Sequence, residues 1–64
     1  MIEIARIFTT GTANRRDIVR RLMACCESFK QLTIADAMAQ FRSYEQSGLI
    51  VYGDGFLAIY HDCN

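Results

Sequence analysis

Thr33-Ile34-Ala35-Asp36-Ala37-Met38-Ala39-Gln40-Phe41-Arg42-Ser43-Tyr44-Glu45-Gln46-Ser47-Gly48, followed by Leu49-Ile50-Val51-Tyr52-Gly53-Asp54-Gly55-Phe56-Leu57-Ala58-Ile59-Tyr60, is the stretch that decides the fold. Thr33 is a helix-capping residue type, and Asp36 falls three places later, where a carboxylate faces the unpaired N–H groups of a first turn. Ile34, Ala37, Met38, Phe41 and Tyr44 then recur at helical spacing and predict one inward stripe. Gly48 suits the left-handed residue that ends a helix, with Leu49 folding back on the last turn. Beyond it the chain reads as two strands about Gly53-Asp54-Gly55. Asp-Gly fits a type I′ turn and Gly-Asp a type II′ turn, so the register stays open. With Asp54-Gly55 as the loop, Ile50, Tyr52, Leu57 and Ile59 share one face, and Val51, Phe56, Ala58 and Tyr60 share the other. Both faces are apolar. A sheet of that kind is either covered twice or meets a partner.

Upstream, Met1 to Thr9 is rich in β-branched residues, and Ile2 and Ile4 alternate with Glu3 as in a half-buried strand. Thr9-Thr10-Gly11-Thr12 reads as the loop that ends it. A first helix is predicted from Asn14 to about Phe29. Asn14 is its candidate cap, Thr12 the competing one, and Asp17 stands three residues after Asn14. Ile18, Leu22, Cys25, Cys26 and Phe29 form its apolar stripe, widened by Val19 and Met23. Asp17 and Arg21 are spaced to pair on the surface. Lys30 complements the negative end of the helix dipole. Ser28 to Leu32 is the turn into the second helix.

The chain has 64 residues and reads as a single domain, 1–64. A domain this small buries only about 60% of the surface its unfolded chain exposes. Its hydrophobic fraction of 52% is high for so little interior, which favours self-association or a partner-binding face. The formal net charge is zero, without the basic excess of a free-standing nucleic-acid binder. Neither a bilayer-spanning run nor a secretory leader is recognisable, so a cytoplasmic protein without membrane association is expected. Three cysteines, two of them adjacent, make a poor disulfide framework and suit reduced thiols.

Chemistry-bearing patterns are sparse. Cys25, Cys26, His61 and Cys63 include every ligand type of a Cys3His zinc site, but adjacent helical cysteines diverge by about 100° and the C-x2-C spacing is lacking. His61 has Asp62 next to it, on the opposite side of a strand. Thr10-Gly11-Thr12 lacks the lysine and the length of a phosphate-binding loop. Neither a catalytic residue nor a cofactor or metal site is expected. Arg15, Arg16, Arg20 and Arg21 form the dense charge cluster, read first as a solvated face, then as a protein contact, then as a phosphate contact. Val51, Tyr52, Phe56 and Tyr60 are the candidate partner-binding residues, tyrosine being apolar along its ring and polar at its tip.

Leu32-Thr33-Ile34-Ala35-Asp36-Ala37-Met38, then Tyr44-Glu45-Gln46-Ser47-Gly48-Leu49-Ile50 and a hairpin, resemble the C-terminal part of winged helix-turn-helix domains. In those domains a recognition helix ends in a phrase like Glu-x-x-Gly-Leu-Ile, and a two-stranded wing follows. The resemblance covers about half of the chain and implies a winged-helix-like body with groove reading by the recognition helix. Thr33 and Gly48 stand only 15 positions apart, and Arg42 is the one basic residue between them, so the form implied is a shortened one. The expectation is therefore an α+β domain of order β-α-α-β-β, with an antiparallel hairpin or sheet packed on two helices. Functionally it reads as a non-enzymatic regulatory protein that acts by protein binding, inhibiting or modulating a transcription or DNA-processing factor, and as a homodimer. The alternative is a DNA-binding transcription regulator with a winged-helix-like fold.

Overall fold

A computed structural model of the chain describes residues 1–9 and 14–62. The order is β1 (Ile2–Phe8), α1 (Arg15–Cys25), a 3-10 turn (Glu27–Phe29), α2 (Ile34–Gln46), β2 (Ile50–Gly53) and β3 (Phe56–His61). This is the expected α+β domain of order β-α-α-β-β. The strands form one antiparallel sheet in the order β1-β3-β2, so β1 joins the hairpin along its central strand.

Each cap forms where the residue types place it. The Asn14 side chain accepts from the Asp17 N–H at 2.9 Å, and Thr33 Oγ1 accepts from the Asp36 N–H at 3.2 Å. At the end of α2, the Leu49 N–H donates to the Tyr44 carbonyl at 2.9 Å and the Gly48 N–H to that of Glu45 at 3.2 Å. This pair of bonds is a Schellman motif, and Gly48 supplies its left-handed residue with φ +74°.

Three local readings change. First, α1 stops at Cys25 rather than near Phe29. Cys26 is extended (φ −110°, ψ 123°), and the 3-10 turn then carries Phe29 into the core, with its ring centroid 6.0 Å from that of Tyr44. Cys25 consequently leaves the apolar stripe and is exposed, while Cys26, four residues after Leu22, is buried. Second, Arg21 turns from Asp17 to the Phe8 carbonyl, to which its Nη1 donates at 2.6 Å. Lys30 lies beyond α1 and pairs with Glu27 at 3.5 Å. Third, the hairpin loop is Asp54-Gly55, but only Gly55 has positive φ (80°). A type I′ turn needs positive φ at both residues, so the turn is not of that type. Thr12, the competing cap, and the loop around it lie outside the described residues, as does Cys63.

The core lies between the helices and one face of the sheet. Ile7, Leu57 and Ile59 from the strands meet Val19, Leu22 and Phe29 from the first half and Ala37 and Phe41 from α2, all at most 6% exposed. A β-bulge between Glu3 and Ala5 resets the alternation of β1, so Ile4, Ala5 and Ile7 all pack toward that core. Among the described residues, no helix is long and apolar enough to cross a membrane.

Candidate functional site

The helices cover one face of the sheet. The register fixes what stands on the other. Phe8 pairs with Phe56, Arg6 with Ala58, Glu3 with Tyr60, and Val51 with Ala58 from the far side. Successive residues of a strand point to opposite faces. Glu3, Arg6, Phe8, Val51, Phe56, Ala58 and Tyr60 therefore share the helix-free side. Phe8 is 72% exposed and Val51 45%, while Phe56 and Tyr60 are half-buried.

Ala58, at the middle of this face, has no exposed surface. Arg6 and Val51 flank it across the strands, Phe56 and Tyr60 along its own, and these larger neighbours close over its methyl. The Arg6 guanidinium lies 4.4 Å above the Phe56 ring centroid, a cation–π stack. That ring in turn leans over Gly53 on β2, where a Cβ would collide with its carbons. The aromatic ring occupies the space a side chain would fill, so a substitution at position 53 has to displace it.

Glu3 holds Arg6 in place. Arg6 Nη2 donates to Glu3 Oε1 at 2.7 Å and Nε to Oε2 at 3.2 Å, a two-pronged contact, and the Tyr60 hydroxyl reaches Oε1 at 3.4 Å. The hydrogen bonds from Arg6, aided by its charge and by Tyr60, hold the Glu3 carboxyl below its ordinary pKa. The same pairing raises that of Arg6.

Of the four residues expected to bind a partner, Val51, Phe56 and Tyr60 lie on this surface. Tyr52 does not: it shares the Leu57 face, at the margin where the helices stop covering it. Its hydroxyl donates to Glu45 Oε2 at 2.7 Å, and Glu45 Oε1 also takes Arg15 at 3.0 Å. Partial burial and the Glu45 carboxylate push the Tyr52 phenol up to about 12. Sequence reasoning missed Phe8, Arg6 and Glu3 as members of the surface. Alternation along β1 was the available signal, but it needed the bulge and the β1–β3 pairing to become a face.

The arginine cluster divides. Arg15 is tied to Glu45 and Arg21 to the Phe8 carbonyl, while Arg16 and Arg20 stay exposed on α1. Arg16 also borders a shallow cleft of about 270 Å3 with Ile34, Ala35 and Met38, below the ~300–1,000 Å3 of most ligand pockets. His61 is exposed at the end of β3, Cys26 is buried, and among the described residues no three His, Cys, Asp or Glu side chains gather as a metal site. No protein-family model, curated protein or solved structure matches this chain.

Proposed function

We propose that this chain is a small non-enzymatic regulatory protein that binds another protein through the open face of its sheet, modulating a transcription or DNA-processing factor. One observation carries the reading: both helices pack on the same side, leaving Phe8 at 72% exposure and Val51 at 45% on the other, beside half-buried Phe56 and Tyr60. Aromatic residues gathered on one exposed surface are the usual anchors of a protein interface. The class of factor rests on the likeness of the Thr33–Tyr60 stretch to the winged-helix phrase, not on a contact.

The test is site-specific photocrosslinking in cells, with a photoreactive amino acid in place of Phe8 or Val51, and of Ala39 or Arg20 on the exposed helix faces. Adducts from positions 8 and 51, without adducts from 39 and 20, are expected. The reverse pattern overturns the reading.

A second reading is favoured by one specific feature. Two helices are followed by a hairpin whose central strand also pairs with β1, in the order β1-β3-β2, and this arrangement is compatible with a shortened winged helix in which α2 would enter a DNA groove. Ala35, Ala39, Arg42, Ser43 and Gln46 are exposed along α2, and Arg16 flanks its first turn. In this reading, duplex binding falls steeply as salt rises, because each phosphate contact releases counterions. Fluorescence anisotropy against mixed-sequence duplexes over a salt series separates the two. Under the protein-binding reading, no binding is expected at physiological salt.

A further inference from the structure

We propose that the occupant of the open sheet face is a second copy of this chain, docked sheet against sheet as a reversible two-fold dimer. The proposal deepens the protein-binding reading and rests on it.

Charge is the first argument. Among the described strand residues, Glu3 and Arg6 are the charged ones on this face, and they are bound to each other by two hydrogen bonds. The face is neutral as a unit, and its two charges keep their partners when water is expelled. A surface carrying a lone charge would bury it here without a counter-charge, which is costly. Another copy brings an equally neutral face and leaves nothing unpaired.

Shape is the second argument. In the row next to the turn, Phe8 stands on β1, Phe56 on β3 and Gly53 on β2. The face is raised at the β1 edge and low at the β2 edge, where the Phe56 ring lies over a residue without a side chain. Consider a two-fold axis running along the strands between two facing sheets. It sets β1 of one copy over β2 of the other and keeps the rows aligned. Phe8 of each copy then falls on the low Gly53 corner, against the Phe56 ring of the other. Val51 likewise falls on the aliphatic stem of Arg6. High meets low twice, as an isologous interface requires. The geometry is that of aligned sheet packing, with the sheets ~10 Å apart.

Size sets the strength. Three strands ~4.8 Å apart and about 20 Å long present roughly 300 Å2 in projection. A standard stable interface takes about 800 Å2 from each partner. The face is smaller than that, so the dimer is a weak, exchanging one, and a protein that binds the same face competes with it.

Sedimentation velocity of the full chain across the micromolar range is the test, on the parent, Phe8→Ser, Val51→Ser and the α2 control Ala39→Ser. All three sites are exposed, and circular dichroism confirms that each variant is folded. The parent should pass from monomer to dimer. Phe8→Ser and Val51→Ser should each raise the dimer Kd about tenfold or more, since each side chain is lost twice in a two-fold contact. Ala39→Ser should match the parent. A parent that stays monomeric, or a dimer that ignores Phe8→Ser and Val51→Ser, overturns the proposal. Photocrosslinking at position 51 tells the two failures apart. Adducts only to a different protein overturn the dimer and leave the protein-binding reading standing. Adducts to nothing, from a monomeric parent, overturn both.

Discussion

On the helix side of the sheet, Leu57 and Ile59 lose all contact with water beneath Phe29, Phe41 and Leu22. On the opposite side Ala58, between them in the same strand, is just as buried, yet no helix lies over it. There the cover is a ring of side chains, with Arg6 stacked on Phe56 and anchored by Glu3. The two faces differ in what finishes them. One is closed by elements whose own stripes require burial. The other is closed at its centre by a long side chain that keeps its charged end wet, and at its rim, at Phe8 and Val51, it stays open. A small domain has too few elements to cover a sheet twice, so its second face is only partly sealed. That leaves it suited to contact.

Substitutions that compare the two faces carry the largest expected effect. Phe41→Ala should cost about 3–5 kcal/mol, the usual loss for deleting a buried ring, and should leave so small a domain largely unfolded. Phe8→Ala, with the same chemical change on a side chain 72% exposed, should fall within about 0.5 kcal/mol of the parent. Urea titration followed by circular dichroism measures both. Similar losses for the two would mean that the faces do not differ as described.

The next effect tests the joint that delivers β2 with Ile50 turned toward the core. A Cβ at Gly48 meets no atom within 4 Å, so the cost of Gly48→Val is set by the backbone strain of φ +74°. It should amount to about 1–3 kcal/mol. Thr33→Ala, which removes the hydroxyl that accepts from Asp36, should cost about 1 kcal/mol by the same measurement. If Gly48→Val melts with the parent, the Schellman end does not constrain the hairpin.

Legibility in the sequence followed the range of the interactions. Asn14, Thr33 and Gly48 announce helix ends because their chemistry acts within three or four residues. The order of elements and the two-sided apolar hairpin were likewise readable from spacing. The break at Cys26 was not, because it depends on Phe29 meeting Tyr44 from a distant helix. The same limit hid the candidate surface. Val51, Phe56 and Tyr60 were legible as one side of a hairpin, but Phe8 and Arg6 join them only through the β1–β3 register, across 48 or more residues of chain. The tie from Arg21 to the Phe8 carbonyl is long-range in the same way and displaced the i, i+4 pair with Asp17 that local rules favour.

Tyr52 gives the smallest effect and the sharpest probe of where one face ends. By register it belongs to the helix-covered side with Leu57, yet it is 60% exposed, and its hydroxyl bridges the edge strand to Glu45 on α2. Its phenol is pushed from the ordinary 10.0 to about 12, first by partial burial and then by the Glu45 carboxylate, which disfavours a neighbouring phenolate. The folded state thus holds this proton more tightly than the unfolded chain does. A raised pKa of this kind contributes stability that is complete below about pH 10 and is lost as the pH rises toward 12. Phenolate absorbance should therefore show a late step near 12, and Tyr52→Phe should abolish it. Glu45→Gln should bring the step down toward 10 by removing the charge while keeping an acceptor. Solvent screening at this exposure keeps the accompanying loss of stability small. A Tyr52 that titrates near the ordinary 10.0 would place the hairpin edge free of α2, and the covered face would then end at Leu57.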